Sequence, residues 1–306
     1  MENDFLNKIQ AIFGHSVDDY KEYINTNMTE IKKFINSQRR KNSAEFDSHF
    51  TEEEYIFDLG MYLIVDLALS FSDSQYIDLK KDNQKVLKFT EPTMFSDRLK
   101  FSFRNFLYTL FNTLLSIKIL LKHGLNHQAA ILTRYYIETT ELIIALMYDD
   151  ELYEIYMQDC EDENEFKKWK QYFTPEKIRK IIDEYENTVD KNFNLYDFRK
   201  RVYKNLSQTA HNSCLDLNLG CFGVDFNNEE YLRYNIAGVI SKDMKQTINP
   251  VIYSTGIFLL YITTILCDLR KMKFYVNKKD GDVPYLVALE IYKELFYDYA
   301  LKNAKI

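Results

Sequence analysis

Residues 129–147 read AAILTRYYIETTELIIALM, a stretch that is apolar on most helical faces. A helix beginning at Asn126 would include it. The preceding apolar stretch, from about Pro92 to His123, predicts a second long helix that stops at Gly124, where glycine favours the left-handed conformation. Two long helices joined by a few residues pack as an antiparallel hairpin. The sequence therefore predicts an all-α, multi-helix bundle with long antiparallel core helices.

The composition supports a helical protein with a sizeable core. The chain has 306 residues and is 46% hydrophobic, but it contains only 8 Gly and 4 Pro. So few turn-forming residues disfavour a sheet protein with many hairpins. The net charge of −7 argues against a surface that binds nucleic acid over its whole extent, although it leaves room for a local basic pocket.

Hydrophobic periodicity divides the chain into three parts. We expect an N-terminal helical segment (1–92), a helical core (93–275) and a C-terminal helix packing on that core (276–306). Thr51 followed by three glutamates predicts a capping box, and the polar residues 73–92 predict an exposed linker. Further helices are predicted at 195–211, 229–240, 243–274 and 284–302.

Several features indicate a cytoplasmic chain that neither spans a membrane nor uses a metal or cofactor. The four cysteines are scattered, and no signal peptide is visible. The most apolar window, from Val251 to Leu266, is shorter than a spanning helix and predicts a buried core helix. His123 and His127 have a spacing typical of metal ligands, but Gly124 between them interrupts the helix.

The strongest chemical signal is RKRVYKNLSQTAHN, residues 199–212. Lys204 and His211 lie seven positions apart, nearly on one helical face, with Ser207 between them and Asn205 beside them. The imidazole could exchange a proton near neutral pH, and the ammonium could stabilise charge on a phosphate. Alternatively, His211 simply ends a helix, where a cation is favourable, and Ser207 bonds back to its own helix.

Arg134 and Glu138 stand four positions apart in the apolar stretch, with Glu141 following. Charges in such a helix need partners. Two arrangements are open at this stage. The pair could form a salt bridge that fixes the bundle, or it could lie beside His211 and hold the imidazole or a phosphate.

These motifs resemble the active motif of HEPN domains, helical bundles in which an Arg, usually followed by a polar residue, precedes a His with four to six residues between the Arg and the His. Lys204 and Asn205 occupy the first two places here, with Lys replacing Arg, and His211 occupies the last. The pattern is similar also to an uncharacterised bacterial helical family with two motif helices. The first would carry Gly124, Ala129, Arg134 and Glu138, and the second Tyr203, Lys204, Leu206, Ser207 and His211. That family's Pro after the His is Asn212 here, and the resemblance covers about residues 95–270.

The resemblance implies a HEPN-like core and a metal-independent endoribonuclease of the bacterial toxin or antiphage-defence type. It implies an RNA or nucleotide ligand, a homodimer with a composite site, and an antitoxin or phage-protein partner. The catalytic residues would be His211, Lys204, Asn205 and Ser207. The substrate-binding residues would be Arg134, Glu138, Tyr203 and Arg201. The alternative is a non-catalytic helical module that senses a nucleotide, an RNA or a protein.

Overall fold

The computed structural model is a bundle of helices with two small antiparallel sheets. It describes residues 17–71, 87–89, 97–158, 162–189, 195–210, 222–228, 231–234, 237–270, 272–274 and 285–303. In this part of the chain helices greatly outweigh strands, so the predicted all-α bundle is confirmed. The division into three parts is not tested and stays a prediction.

The α-helices of the described residues are separated by segments of very different lengths. In chain order they are α1 (Val17–His49), α2 (Thr51–Ser70), α3 (Asp97–Lys122), α4 (Asn126–Tyr148), α5 (Asp150–Tyr156), α6 (Asp162–Lys168), α7 (Pro175–Val189), α8 (Tyr196–Ala210), α9 (Lys245–Thr264) and α10 (Tyr285–Asn303). A π-helical turn, Trp169–Phe173, leads into α7, and another, Ile265–Leu269, extends α9. A 3-10 turn, Lys242–Met244, precedes α9.

Helix α4 lies at the centre of the bundle. It packs against α3 on one side and against α7, α8 and α9 on the others, as its apolar sequence on most faces requires. Ala129, Ile137 and Leu146 are among its fully or nearly fully buried side chains. Helix α2 packs on α3 and α9, and α10 packs on α2 and α9. The long hairpin of α3 and α4 predicted from the sequence is therefore present in the middle of the fold.

The turn between α3 and α4 depends on two glycines. Gly124 has a φ of 75°, so the predicted left-handed helix stop is confirmed, and Gly238 has a φ of 99°. The two backbones are in close contact, because the Val239 amide donates to the Gly124 carbonyl at 3.0 Å. A Cβ added to Gly238 would lie 2.2 Å from the His123 carbonyl oxygen. The Asn42 amide group donates to the His123 and Gly238 carbonyls, at 2.7 and 3.1 Å, and ties α1 to this turn.

The predicted helix at 229–240 is wrong. A short hairpin occupies this region, in which β2 (Phe222–Val224) pairs antiparallel with β3 (Leu232–Tyr234). The Arg233 guanidinium forms an ion pair with Glu45 of α1 and donates to the Ile240 carbonyl at 2.9 Å. These distant contacts, together with the positive φ of Gly238, hold an extended backbone where local periodicity favoured a helix.

Three other expectations also need correction. Thr51 does not form a capping box, because its hydroxyl donates to the Asp47 carbonyl at 2.7 Å and Phe50 occupies the cap position without a side-chain bond. In the predicted linker 73–92, residues 87–89 form β1, which pairs with β4 (Met272–Phe274), and the rest lies outside the described residues. The predicted helix 243–274 ends earlier, before β4. Its last turn is followed by Arg270, which donates to the Met147 carbonyl at 2.7 Å.

The apolar segment that includes α9 lies inside the protein. Residues Lys242–Leu269 form a helical stretch whose length and composition could span a membrane, with a mean hydropathy of 1.7 in its most apolar window. In that window 61% of the residues are buried, including Phe258, Leu259 and Ile262. Packing in the core accounts for this composition, so the buried core helix predicted around 251–266 is confirmed.

Candidate functional site

Helix α8 has one buried face and one exposed face. Arg199, Val202 and Leu206 repeat at three- and four-residue steps and face α4 and α7, and Arg199 and Leu206 are buried. The exposed face carries three cations, Lys200, Arg201 and Lys204. We refer to these three residues as the basic face of α8. In a chain with a net charge of −7, it concentrates positive charge where a ligand could reach it.

The two motif helices meet at Tyr203 and Arg134. Arg134 Nη2 donates to the Tyr203 hydroxyl at 2.9 Å, and Arg134 Nε donates to Glu138 Oε1 at 2.9 Å. The guanidinium carbon also lies 5.0 Å from the Tyr203 ring centroid. The salt bridge that was one of the two open alternatives for Arg134 and Glu138 is therefore formed. Sequence segments 69 positions apart are joined by one hydrogen bond.

A second cation packs on the same tyrosine ring. Arg179 of α7 lies with its guanidinium carbon 4.1 Å from the Tyr203 ring centroid. Its Nε donates to Glu141 Oε2 at 3.2 Å, and both side chains are buried. Tyr203 thus links α8 to α4 and α7 together, which fixes the orientation of the helix that carries the basic face.

A buried ion pair also joins α8 to α7, and it was not predicted from the sequence. Arg199 binds Glu186 with both terminal nitrogens, and the Nη2–Oε2 distance is 3.1 Å. Glu186 also accepts bonds from the Tyr261 hydroxyl and, at 3.1 Å, from the Leu195 amide at the start of α8. A carboxylate beside a helix N-terminus is favourable. A signal was present, because Arg199 shares the apolar face of α8 with Val202 and Leu206.

Glu141 is a titratable group that this environment affects strongly. Burial raises the pKa of its carboxyl to about 7, against the opposing effect of Arg179 and Arg199. Its Oε1 atom and Arg199 Nε have no hydrogen-bond partner among the described residues. Both side chains line a cavity of about 20 Å³. A cavity of that size holds one water molecule, which could accept from the guanidinium and donate to the carboxylate.

The structure brings together only part of the predicted site. Arg134, Glu138 and Tyr203 form one contact group, while Lys204 and Arg201 are exposed on the neighbouring face. His211 lies outside the described residues. Asn205 and Ser207 lie within α8, but the structure describes only their backbone and not their side chains. The predicted proximity of Lys204 and His211 therefore stays a prediction.

Metal chemistry finds no support in the residues that the structure describes. No group of three or more His, Cys, Asp or Glu side chains in those ranges could hold a metal ion. His123, one of the two histidines with a spacing typical of metal ligands, has a pKa lowered by burial and by Arg39. The absence of a cofactor was an expectation and stays one.

Comparison with known proteins assigns neither a family nor a function to this site. Comparison of the chain with protein-family models, with curated proteins and with solved structures found no match.

Proposed function

We propose that this protein is a metal-independent endoribonuclease of the bacterial toxin or antiphage-defence type, with a HEPN-like core and its site on the exposed side of α8. One observation supports this most strongly, the hydrogen bond between Arg134 and Tyr203. The resemblance consists of two short motifs far apart in the sequence. The bond brings the two motifs into contact, as two halves of one site require.

In the proposed reaction the ribose 2′-hydroxyl attacks the adjacent phosphorus. His211 accepts the hydroxyl proton as the O2′–P bond forms, and the leaving 5′-oxygen takes up a proton as the P–O5′ bond breaks. The products are a 2′,3′-cyclic phosphate and a 5′-hydroxyl. Lys204 would contact the phosphate oxygens on which charge develops.

The other predicted residues have supporting roles in this proposal. Asn205 and Ser207 would orient the phosphate or the attacking hydroxyl. Arg201 would contact neighbouring phosphates, because it is exposed on the same helix as Lys204. Tyr203 is bound by Arg134, which is itself bound by Glu138, and would fix the rotation of α8 and so the direction in which the basic face points.

The experiment is RNA cleavage in the presence of EDTA, comparing wild type with His211→Ala. We expect wild type to yield 2′,3′-cyclic phosphate ends. We expect the variant to lose about two to four orders of magnitude in rate, the usual contribution of an acid–base group. A substrate with 2′-deoxyribose at the cleaved positions serves as control and should remain intact. Equal cleavage by wild type and variant, or cleavage of the 2′-deoxy substrate, contradicts the proposal.

A second candidate is a non-catalytic module that binds RNA, a nucleotide or a partner protein through the same face. It is favoured by Arg134, whose Nε and Nη2 are both engaged by protein groups. It is favoured also by Lys204, because a lysine ammonium cannot bind a phosphate through two parallel hydrogen bonds as the arginine of the HEPN motif can. Purified protein that retains RNA on a filter without ever cleaving it, in wild type as in His211→Ala, would decide for this function.

A further inference from the structure

The first half of α1 extends away from the bundle. Every described side chain from Lys21 to Phe34 is exposed, and the first buried one along the helix is Asn42. We call residues 17–34 the arm. At the rise of an α-helix it is roughly 27 Å long. Helices of this length that lack tertiary packing are only marginally stable in water, so the arm would gain from a partner.

One side of the arm is apolar. The large apolar side chains that the structure describes in the arm are between 47% and 68% exposed, and they are Tyr23, Ile24, Met28, Ile31 and Phe34. We call these five residues the apolar stripe. Their spacing of one, three and four residues places them on one side of a helix, while Asn25, Thr29 and Lys32 occupy the other. Single exposed apolar residues are ordinary, but a continuous stripe of them marks an interaction surface.

The charges along α1 indicate which partner fits the stripe. The tip of the arm is acidic, with Asp18, Asp19 and Glu22 against Lys21. The part nearer the bundle is basic, with Lys32, Lys33, Arg39, Arg40 and Lys41 against Glu30. A second α1 lying in the opposite direction would place each acidic tip beside a basic segment. A parallel neighbour would instead place like charges together.

We propose that the arm pairs with the arm of a second copy of this chain as an antiparallel two-helix coiled coil. The seam residues Ile24, Asn27, Ile31 and Phe34 follow the alternating three- and four-residue spacing of such a structure. With two-fold symmetry, Ile24 of one copy packs against Phe34 of the other, and Asn27 packs beside Ile31. The polar Asn27 in this seam would fix the register. The proposal uses no residue of α8 and is independent of the nuclease proposal.

The first test is self-association of the full chain by sedimentation equilibrium. We expect wild type to dimerise and Ile24→Glu with Ile31→Glu to weaken the dimer roughly tenfold or more, because pairing would then bury unpaired carboxylates. The matched control, Asn25→Glu with Thr29→Glu, adds the same charge to the other side of the arm and should still dimerise. Since these positions lie off the core, helicity and melting of the bundle should not change. A monomeric wild type, or a dimer equally tight in both variants, overturns the proposal.

The second test addresses direction. Ile24→Cys and Phe34→Cys proteins are mixed and oxidised, with wild type treated alike to account for its own thiols. Antiparallel pairing predicts a disulfide between positions 24 and 34 of different copies. Links mainly between two positions 24 and between two positions 34 would indicate parallel arms and overturn it. A dimer that forms only after residues 1–16 are removed would also overturn it, because that segment would then be what covers the stripe.

Discussion

Both faces of α8 carry positively charged side chains, but the charge is buried on one face and exposed to solvent on the other. On the inner face Arg199 is buried and bound to Glu186, while on the outer face Arg201 and Lys204 are exposed. The inner cation contributes to the fold only, because no ligand could reach it without unfolding the helix contact. The outer cations contribute little to the fold, because exposed charges are well solvated. This comparison separates residues that build the site from residues that could act in it.

The inner ion pair gives the largest expected effect on stability. Arg199→Ala leaves the Glu186 carboxylate buried without its partner, and we expect a loss of about 3–5 kcal/mol in the free energy of unfolding. Urea denaturation followed by circular dichroism measures it. The control is Arg201→Ala, two positions along, which should change the free energy of unfolding by no more than about 0.5 kcal/mol. Similar losses in the two variants would show that the faces do not differ in this way.

Glu141 of α4, which lines the same cavity as Arg199, makes the free energy of unfolding depend on pH. Its pKa is about 7 in the folded protein against an ordinary 4.5, so its contribution to stability is fully present below pH 4.5 and is lost as the pH rises through 7. Glu141→Gln cannot ionise. Its stability relative to wild type should therefore rise by up to about 3 kcal/mol between pH 4.5 and 8. Urea denaturation at several pH values checks this, and a difference independent of pH contradicts it.

The hydrogen bond between Arg134 and the Tyr203 hydroxyl has a smaller expected effect on the free energy of unfolding. Tyr203→Phe keeps the ring that packs under Arg179 but removes the hydroxyl bound by Arg134. Because the Arg134 side chain is 20% exposed and can turn to water, we expect a loss of about 1 kcal/mol in the free energy of unfolding. Tyr231→Phe, at a tyrosine exposed on the hairpin, is the matched control and should be neutral. An equal effect in both would mean that the bond joining the motif helices contributes nothing.

Much of the fold could be predicted because the sequence patterns that specify it are local and extend over whole helices. The hairpin of α3 and α4 follows from two extended apolar helices and from Gly124, whose left-handed conformation needs no distant partner. The hairpin of β2 and β3 could not be predicted in this way. Its strands are short, and β3 is held by Arg233 binding Glu45, 188 positions away. A contact over such a distance leaves no periodic pattern in the strand itself.

The site could be predicted in part for a related reason. Spacing along one helix gave a salt bridge between Arg134 and Glu138 as one of two open arrangements, and that salt bridge is formed. It could not show that Tyr203 is the partner across the interface, because that depends on how α8 is rotated against α4. The buried pair of Arg199 and Glu186 was not predicted, because Glu186 lies on another helix, although helical periodicity places Arg199 on the inner face of α8.

The most direct test of the division between the faces is RNA cleavage in EDTA by Lys204→Ala, measured together with its unfolding free energy. We expect the cleavage rate to fall about 100-fold or more, as when a group stabilising transition-state charge is removed. The unfolding free energy should stay within about 0.5 kcal/mol of wild type. Lys293→Ala removes a partly exposed lysine on α10 that pairs with the exposed Glu290, and it should change neither quantity. Undiminished cleavage by Lys204→Ala, or a loss of cleavage matched by a loss of stability, would contradict a functional role for the outer face of α8.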